Sequence, residues 1–175
     1  MVALGCSSAP RDFLTPVPPN DTIVIGKFVR IESGKPIAWT KVHTIVIATW
    51  SVNCSFDMFG QKIHEGNRLD ESGFIATKGT PGTGKTEIMS TCIWAGGQQR
   101  NEGKYKFGEV NYEFREKAVY VMPYIEARYP DSGTMPSFLD IDNEGKRTPE
   151  IIEEFKRRYP AYAAHGDFIP LKLVK

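Results

Sequence analysis

Between Thr22 and Ser33 the chain reads TIVIGKFVRIES, a run of β-branched and aromatic residues with no 3.6-residue period. Read at a period of two, Ile23, Ile25, Lys27, Val29 and Ile31 share one face, and Val24, Gly26, Phe28 and Arg30 share the other. Both faces are largely apolar, so the segment reads as a strand buried on both sides. The same texture recurs downstream. Residues 37 to 52 read IAWTKVHTIVIATWSV, long enough for one bent strand or two. GFIATKG, TEIMSTCIW, KYKFGEVNYEF and KAVYVMPYIEARY follow. Turn signals separate them at Pro81-Gly82, Gly96-Gly97, Glu102-Gly103 and Arg115-Glu116-Lys117. With no helical pattern between these segments, the chain is expected to be mainly β, an antiparallel β-sandwich or barrel.

One helix stands apart. Thr148 is a cap candidate, Pro149 suits the first helical position, and IIEEFKRRY follows, predicting a helix over 148–159 that Pro160 ends. Ile151, Ile152, Phe155 and Tyr159 form an apolar stripe, and Glu153, Glu154, Arg157 and Arg158 are expected to face water. Residues 22 to 175 are thus read as one β-sandwich domain closed by a C-terminal amphipathic helix.

The stretch GTPGTGKT, Gly79 to Thr86, satisfies the spacing of a phosphate-binding loop, with Gly79, Gly84, Lys85 and Thr86 at its defining positions. Such a loop works only between a buried strand and a helix whose N-terminus faces the phosphates, with a distant Asp for magnesium. TEIMSTCIWAGG alternates as well as it spirals, and the apolar run AVYVMPYIEA ends without an Asp. Pro81-Gly82 is therefore read as the turn of a hairpin, with Lys85 and Thr86 entering its second strand. In the alternative reading, a nucleotidase, Lys85 contacts the β/γ-phosphates and Thr86 the magnesium.

Asp70-Glu71-Ser72-Gly73-Phe74 followed by Pro81-Gly82 resembles the D-x-x-G-x-F…P-P-G pattern of transthyretin-like and carboxypeptidase-regulatory-like β-sandwich domains. Gly26-Lys27-Phe28-Val29-Arg30 with Ser33-Gly34-Lys35-Pro36 resembles their opening hairpin. The resemblance spans roughly residues 22 to 127. It implies an architecture and a structural or interaction role, and no activity.

The N-terminal Val2-Ala3-Leu4-Gly5-Cys6 resembles the end of a bacterial lipoprotein signal, with Cys6 as the lipid-bearing residue. The following segment holds Pro10, Pro16, Pro18 and Pro19, which favour an extended tether. Residues 1 to 21 are accordingly read as an anchor remnant and proline-rich spacer, and the chain as lipid-anchored on the periplasmic or extracellular face of a bacterial envelope. With Cys6 acylated, two of the three cysteines remain, Cys54 and Cys92, free to form one bridge or to stay as buried thiols.

Other constellations are weaker. Asp140, Asp142 and Glu144, with Gly145, approach a calcium loop, yet Ile151 stands where its bidentate Glu belongs. His43, His64 and His165 have no metal spacing. Trp39, Trp50 and Trp94 suit a core, or a sugar-stacking face if exposed. A net charge of +1 offers no basic excess for nucleic acid. The expected function is a non-enzymatic envelope lipoprotein without a cofactor, which meets the bilayer through Cys6 and an envelope protein through its β domain. A P-loop nucleotidase and a secreted carbohydrate-binding β domain are the alternatives.

Overall fold

The computed structural model describes residues 21–37, 45–47, 50–59, 61–63, 72–130, 136–164 and 167–174. Cys6 and its spacer, Trp39, Asp70, Glu71 and the three histidines lie outside the described residues, as do the side chains of Trp50, Cys54, Cys92 and Trp94.

The chain is mainly β, two sheets packed as a sandwich. Strand β1 (Thr22–Glu32) turns through Ser33-Gly34 into β2 (Lys35–Ile37). Both turn residues have positive φ, 48° and 73°, as a two-residue hairpin loop of the tightest kind requires. Next come β3 (Ile45–Ile47), β4 (Trp50–Met58), β5 (Gln61–Ile63) and β6 (Phe74–Gly79). The long pair β7 (Gly82–Gly96) and β8 (Gln99–Phe114) precedes β9 (Val119–Val121), β10 (Ile125–Tyr129) and β11 (Phe138–Ile141). Helices α1 (Thr148–Arg158) and α2 (Pro160–Ala163) lead to β12 (Phe168–Pro170) and β13 (Leu173–Val174).

The first sheet runs β11-β10-β1-β9-β12, with β2 and β6 also on β1; the second runs β13-β8-β7-β4-β3, with β5 on β4. Strand β1 is the hub of the first sheet. Its first half pairs with β6 and β9, and its second half with β2 and β10. All described pairs in the second sheet are antiparallel.

The first sheet departs from the antiparallel expectation, because β1 pairs parallel to β9 and to β10, and β9 parallel to β12. After β6 the chain crosses to build the β7–β8 ladder of the second sheet, so it returns to β1 by a crossover rather than a tight turn. Two local expectations also change. KAVYVMPYIEARY is two strands, interrupted where Pro123 has no N–H to give a ladder. No turn occurs at Glu102-Gly103, since β8 stays in register with β7 through both residues.

The alternation in β1 divides the interior into two cores. Val24 and Phe28 join Met58, Ile75, Ile88, Phe107 and Val110 between the sheets. Ile23 and Ile25 join Phe74, Ala76, Val119 and Val121 beneath α1, whose Ile151 and Phe155 cover them. Gly73 sets the edge of this arrangement. Its φ is +87°, and a Cβ there would stand 2.3 Å from the carbonyl oxygen of Phe28. That approach lets the Gly73 carbonyl accept the Phe28 N–H at 3.0 Å.

The helix begins at Thr148 without a side-chain cap, and Tyr159 is its C-cap rather than its last turn. Thr148 is buried at the first helical position. The preceding turn is tied by Asp142, whose carboxylate accepts the amides of Lys146 and Arg147. Asn143 clamps the C-terminal strand, accepting the Leu173 N–H at 2.7 Å and donating to the Leu173 carbonyl at 2.9 Å.

Phe155 is fully buried and meets the rings of Phe74, Tyr159, Tyr162 and Phe168. Phe155→Ala is expected to destabilise the fold by about 3–5 kcal/mol, read as a lower urea midpoint at an unchanged slope. The same truncation at half-buried Ile152 is expected to cost much less.

Candidate functional site

Helix α1 covers the start of β1 and leaves the second half of the strand open on that side. Between them lies a cleft of about 510 Å³, running from the first turns of α1 across β1 to β2 and β10. Its lining includes Val29 and Ile31 of β1, the apolar floor, because they continue the face begun by Ile23 and Ile25. Its charged walls come from distant parts of the chain: Lys27 of β1, Glu126 of β10, and Arg147, Glu150 and Glu154 at and within α1.

Lys27 pairs with Glu154, and each side chain keeps 17% of its exposure. The Lys27 ammonium also lies 4.9 Å from the Phe74 ring centre. Glu154 in turn accepts from Arg158 at 3.1 Å. Burial pushes the Glu154 carboxyl up, but the Lys27 and Arg158 hydrogen bonds and charges outweigh it, leaving the group below its ordinary value. On the opposite wall the Arg147 guanidinium sits 4.2 Å from the Tyr124 ring centre, and the Tyr124 hydroxyl donates to Glu126 at 3.2 Å. Burial first, and the Glu126 charge second, raise the Tyr124 phenol. The cleft thus presents an apolar floor between two braced polar walls, a surface suited to holding an extended segment with apolar and basic side chains.

None of these residues was marked as a site by the sequence. Glu154 was expected in water, yet it borders the apolar stripe of α1 and finds its cation 127 positions away. The available signal was Lys27, a lone cation inside an otherwise apolar stretch of β1.

The phosphate-loop pattern lies elsewhere. Gly79 ends β6 in the first sheet, Thr80 and Pro81 cross over, and Gly82 begins β7 in the second. The connection is therefore an arch between sheets and not the expected hairpin, for β6 pairs with β1 while β7 pairs with β4 and β8. Lys85 and Thr86 do enter a strand, and the residues after them continue it, so no helix N-terminus faces the loop. Each glycine has a use here. Gly82 takes a φ of +130° to start the new strand. Gly84 lies opposite Tyr112 of β8, whose ring covers it so closely that a Cβ would stand 2.5 Å from the phenolic oxygen. A Cβ on Gly79 would meet the Phe114 ring at 3.0 Å. Tyr112 and Phe114 stack at 4.3 Å, and Phe59 leans on both. Lys85 is exposed and pairs with Glu109.

The acidic turn does not gather its carboxylates. Asp142 is taken by backbone amides, Glu144 pairs with Lys146 at 2.7 Å, and Asp140 lies on β11. Among the described residues no three His, Cys, Asp or Glu side chains come together as a metal site. Cys54 and Cys92, by contrast, are directly opposed in the β4–β7 ladder.

Two measurements test these assignments. Gly84→Ala is expected to lower stability because the Tyr112 ring has to move, and Gly84→Ala with Tyr112→Ala is expected to cost less than the sum of the two. Lys85→Ala is expected to leave the unfolding midpoint unchanged. A carboxyl held below its unfolded-chain value stabilises the fold above that value and loses the contribution as pH falls through its folded value. Glu154→Gln is accordingly expected to be less stable than the parent near pH 6, the gap closing towards about pH 3 in urea titrations.

Set against known proteins, the chain finds no counterpart to supply a role for the cleft: no family model, no curated protein and no solved structure matches it.

Proposed function

We propose that this chain is a non-enzymatic envelope lipoprotein, anchored through Cys6 and held off the bilayer by its proline-rich spacer, whose β-sandwich binds a protein partner in the helix–sheet cleft. The observation that carries the binding half is the cleft itself. Its volume falls in the range of ligand sites, roughly 300–1,000 Å³, and its floor is apolar with few polar groups around it. Two cations, Lys27 and Arg147, face three carboxylates, Glu126, Glu150 and Glu154. Lys27 is already paired with Glu154, so the excess charge offered to a ligand is negative. A segment carrying an apolar residue next to Lys or Arg matches that balance. The anchoring half is supported by the Leu4-Gly5-Cys6 sequence and the prolines after it. The likeness of Gly73-Phe74 and Pro81-Gly82 to transthyretin-like interaction domains points the same way.

The nucleotidase alternative lacks support of this kind, since Lys85 and Thr86 sit on a strand beside Glu109 rather than on a helix N-terminus. Radiolabelled palmitate supplied to the native host is expected to enter the full-length protein and to be lost in Cys6→Ser; no incorporation into the parent overturns the anchor. A photo-crosslinking residue at Ile31 is expected to trap one discrete envelope protein, with the product lost when Glu126 and Glu150 are changed to Lys. Equal trapping from exposed Lys104 would overturn the cleft as the contact.

A further inference from the structure

Strands β4 and β7 run antiparallel through eight uninterrupted rungs, from Ser51 opposite Ala95 to Met58 opposite Ile88. Near the middle of that ladder Cys54 is opposite Cys92. The chain has only three cysteines, and two of them occupy the two ends of one rung. We propose that Cys54 and Cys92 form a cross-strand disulfide that bolts β4 to β7.

Three observations carry the assignment. Opposed residues of an antiparallel pair have Cα atoms about 4.5 or 5.5 Å apart, according to the type of rung, and disulfides span Cα separations of about 4.4–6.8 Å. Either type of rung therefore meets the requirement with the backbone as it stands. The ladder is regular on both sides of the rung, since the irregularity in this sheet falls at Ile88/Met89 of the β7–β8 pair and not between β4 and β7. On its other side Cys92 is opposite Gly103 of β8, which has no side chain to compete for the same space.

The chemistry is thiol–disulfide exchange with a small-molecule disulfide of the oxidised-glutathione class. One cysteine thiolate attacks the disulfide, forms a mixed disulfide and releases one glutathione thiolate. The second cysteine thiolate then attacks the protein sulfur of that mixed bond and releases the other. The two cysteines together lose two electrons and two protons, and the glutathione disulfide gains them as two thiols. A bond linking positions 54 and 92 closes a loop of intermediate length, for which the loss of unfolded-chain entropy is large.

The test uses the full chain carrying Cys6→Ser, equilibrated with oxidised glutathione, denatured, and treated with a maleimide before digestion without reductant. The expected result is no maleimide uptake, a mass lower by two hydrogens, and one linked peptide pair containing Cys54 and Cys92. Dithiothreitol is expected to restore both thiols and to lower the Tm by roughly 10 °C. Two maleimide adducts, or a separate glutathione adduct on each cysteine, would overturn the proposal. So would a Tm indifferent to dithiothreitol. Cys54→Ser with Cys92→Ser is the control, expected to melt at the same temperature with and without reductant. Neither the lipid anchor nor the cleft enters this experiment, so its failure and the failure of the envelope reading are separately visible.

Discussion

The structure hangs on the double burial of β1. A strand that bonds neighbours on both edges and packs on both faces has no free surface on which to be placed wrongly. A slip of one residue would exchange its two faces, driving Lys27 between the sheets and lifting Phe28 towards the helix. In the observed register Lys27 faces α1, where Glu154 meets it. Arg30, on the inner face and 1% exposed, lies with its guanidinium 3.6 Å from the Tyr129 ring centre and donates to Glu32. Each cation of β1 thus has a partner that only this register supplies. An unpaired charge at either place would carry a desolvation cost of several kcal/mol. Gly26 belongs to the same constraint, because the Phe28 ring folds back to within 2.3 Å of where its Cβ would be.

A similar economy explains why GTPGTGKT reads so well as something else. A phosphate loop needs glycines so that backbone amides can approach an anion. A strand crossing from one sheet to another needs glycines where aromatic rings lie against the backbone and where φ turns positive. Gly79, Gly82 and Gly84 serve that second need, with Phe114 and Tyr112 as the covering rings. The pattern records where side chains are missing and is silent about what fills the space. Only the element that follows, helix or strand, separates the two meanings, and here β7 continues for 15 residues.

What was legible in the sequence was local. The alternation of TIVIGKFVRIE assigns Ile23 and Ile25 to one core and Val24 and Phe28 to the other, because a period of two depends on nothing beyond the strand. The stripe of α1 was legible for the same reason. Which sheet a strand joins is not local. β6 and β7 are separated by two residues yet lie in different sheets, and β1 finds β9 and β10 in parallel far along the chain. The cleft was illegible on the same grounds. Lys27, Tyr124, Arg147 and Glu154 acquire their meaning from each other across more than a hundred positions, and none is unusual in its own neighbourhood. The resemblance to transthyretin-like domains drew on short turn signals, which constrain where strands stop and not which strands meet.

The cleft itself follows from a mismatch of lengths. Helix and strand each have 11 residues, but a helix rises about 1.5 Å per residue and a strand about 3.3 Å. Whatever angle α1 makes with β1, it cannot shield more than about half of it. It covers the half where Ile23 and Ile25 need burial, and Lys27 with Glu154 marks the boundary. Beyond that line β1 still carries Val29 and Ile31 on the same face, so an apolar strip remains open to solvent beside charged groups from α1 and β10. Filling it from within would take a longer helix. The short one leaves a surface whose apolar floor gains most when another chain covers it, which is the physical basis for assigning the cleft to a protein partner.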